Sequence, residues 1–377
     1  MRIVVAPDKF KGSLPAAEVA RALAAGLRSG DPTLDVVELP VADGGDGTLA
    51  AALAAGFERV PALAEGPVGE PVESAFGWRA GSVGGAGVAV VELADVVGLE
   101  RMRELAPLTA STFGLGQVIT AALDRGAATI ILGVGGSAST DGGAGMMQAL
   151  GVRLLDAAGA GLGRGGAALA DLASIDLSGL DPRLAGVAVL VASDVDNPLL
   201  GESGAAAVFG PQKGASPAQV LQLDRALARW ASLTAAVTGR DEAGSPGAGA
   251  AGGTGFAALA YLHAELKPGI ELVLELVGLD AALARADLLI TGEGSLDAQS
   301  LRGKAPVGVA RAAGRVGVPV VAVAGQCLLT SDELADAGLL AAYSLSALEP
   351  DAAVSMREAP RLLAQIGQMI AMRLERT

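Results

Sequence analysis

Five times in this chain a short apolar run ends abruptly in a polar, glycine-rich cluster. RIVV leads into Ala6–Ser13 (APDKFKGS) and VVELP into Val41–Thr48 (VADGGDGT). TIIL leads into Gly133–Gly145 (GVGGSASTDGGAG), VAVLVA into Ser193–Pro198 (SDVDNP) and DLLI into Thr291–Ser300 (TGEGSLDAQS). Strands buried on both faces read as continuous apolar runs, so each run is expected to be a parallel strand reaching its carboxyl end. Ligands of open α/β sheets bind beside that edge. The clusters hold Asp, Lys, Ser and Gly but neither His nor Cys, which points to phosphate and metal chemistry.

A chain of 377 residues is long enough for two domains, each with its own core. Aromatics make up only 3% against 51% hydrophobic residues, so the core is expected to be Ala, Val, Leu and Ile. The net charge of −14 comes without a basic block, which argues against nucleic acid and anionic membrane as partners. An acidic protein still binds anions locally through backbone N–H groups, a few lysines and Mg²⁺. The single Cys327 excludes a disulfide framework and a Cys-based zinc site within one chain. MRIVVAPDKF lacks the apolar region of a signal peptide, and the charge-free stretch Ala243–Ala264 is broken by Ser, Pro and Gly. A soluble, cytoplasmic protein is expected, and a homo-oligomer is compatible with it.

The order of elements predicts an α/β fold of two domains. Arg2–Ala6 and Asp35–Leu39 read as strands around a helix over Ala16–Leu27, with Ser13 as its N-cap. Phe57–Arg79, with several prolines and glycines, reads as a crossover. Strands follow at Gly87–Leu93, Thr129–Leu132 and Val187–Ala192. A long helix is expected over Ser216–Thr238, capped by Ser216 with Pro217 at its first position, and then a loop over Glu242–Gly255. Regular alternation returns with strands Asp287–Thr291, Val318–Ala324 and Leu339–Leu345 around helices Ala305–Val316 and Thr330–Ala337. The first and last segments share a style. They are therefore expected to form one discontinuous domain, 1–60 and 280–377, with 61–279 inserted as a second α/β domain.

Familiar nucleotide signatures are not met. A P-loop around Gly303-Lys304 would need Gly at 298 and Ser or Thr at 305, where Ala stands at both. Gly247, Gly249 and Gly252 fit a GxGxxG spacing but follow a Gly-Ser-Pro turn instead of a strand, which speaks against a dinucleotide site. His263 lies in an apolar stretch, FAALAYLHAEL, and is expected to be a surface or helix-packing residue; no GxSxG accompanies it. The cluster after TIIL is the most specific signal. Gly135, Gly136, Ser137, Ser139 and Thr140 offer backbone and hydroxyl donors ahead of a helix start, as an anion site requires.

Carboxylates and lysines complete the pattern. Asp43 and Asp46 form one turn pair, Asp194 and Asp196 a second, and Glu293 and Asp297 stand at a third strand end. Asx-turns alone account for one such pair; three sets fit Mg²⁺ binding and proton abstraction better. Lys9, Lys11, Lys213 and Lys304 are cations placed to neutralise phosphoryl or carboxylate oxygens.

Taken together, APDKFKGSL, PVADGGDGT, STFGLGQVI, GVGGSASTDGGAGMMQALG, SDVDNPLLG, FGPQKGA, GAAGGTGFAAL and TGEGSLDAQSLRGKAP resemble the blocks of the bacterial glycerate kinases that make 2-phosphoglycerate, in the same order. Ser193 stands where that family more often has Cys. The resemblance implies transfer of a phosphoryl group from ATP to a hydroxyl of D-glycerate with Mg²⁺. It also implies a two-domain α/β architecture with one Rossmann- or flavodoxin-like domain and no P-loop. On chemical grounds the site is expected in the interdomain cleft. Asp194 is the first choice for the base, with Asp43 and Asp297 as rivals, and Lys9 or Lys11 steadies the moving phosphoryl group. Asp46 and Asp196 are expected at the metal. Gly135 to Thr140, Lys213, Glu293 and Lys304 are expected to bind substrate and phosphate. Phosphorylation at the 3-position, a non-catalytic binding protein for a small organic acid and a nicotinamide-dependent reductase are the alternatives.

Overall fold

The computed structural model describes residues 1–81 and 87–374, a mixed α/β chain of two compact units. The first comprises Met1–Asp43, Ala50–Gly56 and Ile270–Thr377; the second comprises Gly44–Leu49 and Phe57–Gly269.

The first unit is built on a five-stranded, wholly parallel sheet. Across it run Asp35–Glu38, Arg2–Pro7, Leu288–Leu296, Val320–Cys327 and Ala341–Ser344. Numbered along the chain within this unit, the order is 2-1-3-4-5, that of flavodoxin-like sheets. Ile3, Val4, Val5 and Ala6 are fully buried because both faces are covered. Ile3 and Val5 face a core that includes Leu23 and Leu27 of helix Ala16–Gly30 and Leu363 and Ile366 of helix Ala359–Leu374. Val4 and Ala6 face the other core, with Val273 and Val309.

The second unit holds a six-stranded mixed sheet. Glu265–Lys267, Ala188–Ala192, Ala127–Gly133 and Gly87–Glu92 are parallel, and Pro71–Arg79 and Glu58–Glu65 are added antiparallel at one edge. The segment expected to be a crossover is thus a hairpin. Pro61 lies in the edge strand, where a missing N–H is tolerated, and Pro67 and Gly69 lie between the two strands. Trp230 is fully buried in this unit, stacked on Tyr261 at 5.4 Å and edge-on to Phe256 at 6.3 Å.

Helix starts show where local reading holds. Ser216 and Thr330 both cap through a capping box, with Gln219 and Glu333 at the third helical position. Ser13 does not cap: Pro15 occupies that position, and the Ser13 hydroxyl donates to Met356 O at 2.7 Å. The expected loop Glu242–Gly255 turns helical from Ala250, with left-handed backbone at Ala251, Gly252 and Gly253. His263 ends that helix as an exposed residue with φ +51°, and Arg240 donates to its Nδ1 at 3.1 Å. No described helix is long and apolar enough to cross a membrane.

Candidate active-site clusters at the strand ends

In the first unit, Asp8 follows strand Arg2–Pro7, neighbour of the central strand Leu288–Leu296, and its N–H donates to Gly292 O at 2.8 Å. The neighbouring strand does not stop at Thr291 as the glycines suggest. It continues through Gly292, Glu293 and Gly294 to Leu296. Glycine is required there by close approach: a Cβ on Gly292 would collide with Val323 O, and one on Gly294 would lie 3.2 Å from Lys11 N. Glu293 therefore sits on the strand and is buried, with Oε1 lacking any hydrogen-bond partner.

The electrostatics follow from this burial. Desolvation, reinforced by the Asp43 charge, pushes the Asp8 carboxyl up to about 7, although the Lys9 N–H and ammonium pull the other way. Burial raises Glu293 as well; Ser300 and Lys304 oppose the shift, and Asp297 and Asp43 add to it. Lys304 Nζ lies 4.0 Å from Glu293 Oε2. Lys9 N donates to Asp8 Oδ1 at 2.6 Å, while Lys11 is exposed in the following turn. Asp297 makes an Asx-type turn, accepting from Gln299 N at 2.8 Å. Asp8, Lys9, Asp43, Glu293 and Lys304 thus share one neighbourhood.

In the second unit the glycine-rich loop follows Ala127–Gly133. Gly136 is exposed at φ +71°, and Gly135 backs onto the turn of Asp46: a Cβ there would lie 2.6 Å from Gly45 Cα. Ser137, Ser139 and Thr140 are buried, with the first two hydroxyls 3.1 Å apart and Thr140 Oγ1 without a partner. The Lys213 ammonium donates to Ser139 O, and burial pulls its pKa down to about 7 against the pull of Asp141. Asp46 and Asp196 are exposed carboxylates on their turns. Asp194 is exposed too, and its Oδ1 accepts from Gly269 N at 2.9 Å.

Asp8, Glu92 and Asp141 were not among the residues expected to act. Glu92 accepts from Gly47 N and Leu49 N and is pushed up to about 7 by burial, with the Asp46 and Asp95 charges adding to it. Asp141, fully buried, accepts from Thr112 N, Thr112 Oγ1, Gly143 N and Gly145 N. Asp8 carries the one signal available locally: it is the first charge after a fully apolar strand.

Among the described residues no group of three or more His, Cys, Asp or Glu is arranged to hold a metal ion. A Mg²⁺ ion bound together with phosphate oxygens would need only one or two carboxylates. The exposed Asp46, backed by the glycine loop, has that character.

Lys213 makes a stability prediction. Its depressed pKa means that the folded chain holds fewer protons than the unfolded chain between about pH 7 and 10.5. Its contribution to stability therefore rises with pH across that window, by at most about 1.4 kcal/mol per pH unit. Urea unfolding of the wild type and Lys213→Met at pH 7.5 and 10 should show the difference moving in favour of the wild type at the higher pH. A difference independent of pH would mean that Lys213 titrates as an exposed lysine does.

Residues 3–375 match the model of the glycerate kinase family. The chain is 47% identical to the glycerate kinase of Bacillus subtilis (strain 168), over 92% of this chain and 90% of that one. It is also 47% identical to the glycerate 2-kinase of Escherichia coli (strain K12), over 88% of this chain and 86% of that one. A crystal structure from Salmonella typhimurium LT2, provisionally assigned as glycerate kinase 2, has a TM-score of 0.86 at 43% identity. It covers 100% of this chain, which in turn spans 98% of it.

Proposed function

The chain belongs to the glycerate kinase family, and from that premise we propose that it transfers the γ-phosphoryl group of ATP to the 2-hydroxyl of D-glycerate. The observation that carries this reading is the family match along residues 3–375, which takes in both polar clusters. The Escherichia coli relative, a glycerate 2-kinase, favours position 2 over position 3.

Glycerate is a small anion, and ATP is a larger one. A kinase for them must hold a carboxylate, align one hydroxyl with the γ-phosphorus and offset the charge of the phosphoryl oxygens. The backbone N–H groups at Gly135 and Gly136 and the hydroxyls of Ser137, Ser139 and Thr140 suit anion binding. Lys213 fixes that loop from within through Ser139 O. Lys9, Lys11 and Lys304 supply positive charge in the other cluster, beside Asp43, Asp297 and Glu293. Mg²⁺ would accompany the nucleotide and be held by Asp46 and Asp196. When bound, it neutralises phosphate oxygens. A cytoplasmic setting belongs to this reading.

The test is an ADP-release assay with D-glycerate, ATP and Mg²⁺, followed by carbon–phosphorus coupling in the product. Steady turnover with the phosphorus coupled as a substituent on C2 is expected. No ADP release would end the kinase reading, and a phosphate on C3 would end the regiochemical one.

A further inference from the structure

The order 2-1-3-4-5 of the first sheet puts its topological switch point between Arg2–Pro7 and Leu288–Leu296. The crevice outside the carboxyl ends of two such strands is where flavodoxin-like sheets take their ligands. Here those ends carry Asp8 and Glu293. Asp8 is only 8% exposed, as is Glu293. The charged groups that act on Asp8 are Asp43, Glu293 and Lys9. Glu293 also keeps a buried oxygen, Oε1, with no hydrogen-bond partner. Native interiors rarely leave such an atom orphaned, and a binding site is one of the places that do. Acidic turns on the surface need no such explanation. A buried carboxylate at the switch point, next to an unsatisfied one, does.

Asp194 has a different character. Each of the two carboxylates accepts one backbone N–H, Asp8 from Lys9 and Asp194 from Gly269, but Asp194 is exposed where Asp8 is buried. A base for an alcohol must instead lie in a site that excludes water, with its free carboxylate available near the working pH.

We propose that Asp8 is the general base of this kinase, taking the proton of the acceptor hydroxyl while that oxygen bonds to the γ-phosphorus. The bond from phosphorus to the bridging β–γ oxygen breaks at the same time, and its electron pair leaves with ADP. The proton passes from Asp8 to solvent after product leaves. This inference rests on the kinase reading above. Burial first, then the Asp43 charge and last the Glu293 charge, keep Asp8 a stronger base than an exposed aspartate.

The experiment uses the full chain with Asp8→Asn, Asp8→Glu and Asp194→Asn, assayed from pH 5.5 to 8.5. In the wild type, kcat/KM rises with pH through about 7 as Asp8 of the free enzyme ionises. Asp8→Asn is expected to lower kcat by about 10²–10⁴-fold, to move the KM for glycerate by less than about threefold, and to abolish that rise. Asp8→Glu should retain a shifted rise. Asp194→Asn should lose less than about tenfold in kcat. An Asp8→Asn enzyme within about fivefold of wild-type kcat, or one keeping the wild-type pH limb, overturns the assignment. Should Asp8→Asn fail to fold, an unshifted limb in Asp8→Glu overturns it equally. Carbon-13 NMR of the aspartate carboxyls tests the same group without substrate. An aspartate signal titrating near pH 7 that disappears in both Asp8→Asn and Asp8→Glu supports Asp8; the absence of any such aspartate signal overturns it. That arm decides on Asp8 even if glycerate proves to be the wrong acceptor, so the two failures are distinguishable.

Discussion

Asp141→Ala is expected to lower the free energy of unfolding by about 3–5 kcal/mol, the cost of breaking a buried charged hydrogen-bond network. Asp141 is completely buried, and its two oxygens accept four hydrogen bonds at 2.8–3.2 Å. The donors lie at the starts of two helices, Phe113–Asp124 and Ala144–Ala149, so the carboxylate joins both to the glycine-rich loop. Thr112 Oγ1 extends the network by accepting from Met146 N at 2.9 Å. Alanine leaves the donors dry and unpaired. Asparagine keeps the shape but turns two N–H groups toward other donors, and about half of the loss is expected from it. Urea unfolding at pH 7 measures both variants. A loss below about 1 kcal/mol for Asp141→Ala would show that water or a loop shift replaces the carboxylate. Activity should fall with stability, because Ser137, Ser139 and Thr140 stand on the loop that Asp141 anchors.

Much of the fold was legible because its signals are local. Ile3 to Ala6 read as a strand buried on both faces, and that is how they lie. Ser216 and Thr330 carry their capping partners three residues into the helix, within one turn of chain. Ser13 has no such partner, and its cap did not form. The misreadings share another cause. Gly292 and Gly294 look like loop residues, yet they keep a strand running because neighbouring backbone comes too close for any side chain. Phe57–Arg79 looked irregular because its prolines sit where an edge strand and a turn accept them. The two closing helices, Ala352–Arg357 and Ala359–Leu374, lay beyond the last segment assigned from sequence.

The site divides the same way. Strand ends and the glycine loop were visible as apolar runs meeting polar clusters. Asp8, Glu92 and Asp141 were not, because their character is set by distant chain. Asp8 is shaped by Asp43 and Gly292, Glu92 by Gly47 and Leu49, and Asp141 by Thr112. Lys213 was visible as a lysine, but its burial against Ser139 O was not. A sequence shows which residues can carry charge. Burial decides which of them hold it, and that depends on tertiary contacts.

The left-handed stretch before helix Ala250–Leu262 is the place where one methyl group should do most damage. Gly252 has φ +68°, its carbonyl accepts from Gly142 N at 3.0 Å, and an added Cβ would drive into Ser139 O and lie 2.9 Å from Lys213 Nζ. Gly252→Ala should therefore cost about 3 kcal/mol or more, backbone strain and overpacking together. It should also displace the carbonyl that holds the Lys213 ammonium. The neighbouring Ala251 supplies the contrast. At φ +52° it already carries a Cβ in a backbone region that favours glycine, so Ala251→Gly should leave stability unchanged or raise it by up to about 1 kcal/mol. Thermal unfolding of the two variants beside the wild type gives the comparison directly. If both move the midpoint in the same direction, the tight approach of Gly252 to Ser139 is not what makes glycine necessary there. The same geometry accounts for the GxGxxG spacing of Gly247, Gly249 and Gly252. A Cβ at Gly247 would meet Leu266, one at Gly249 would meet Pro198 O, and one at Gly252 would meet Ser139 O. Close packing explains each of the three glycines without a dinucleotide.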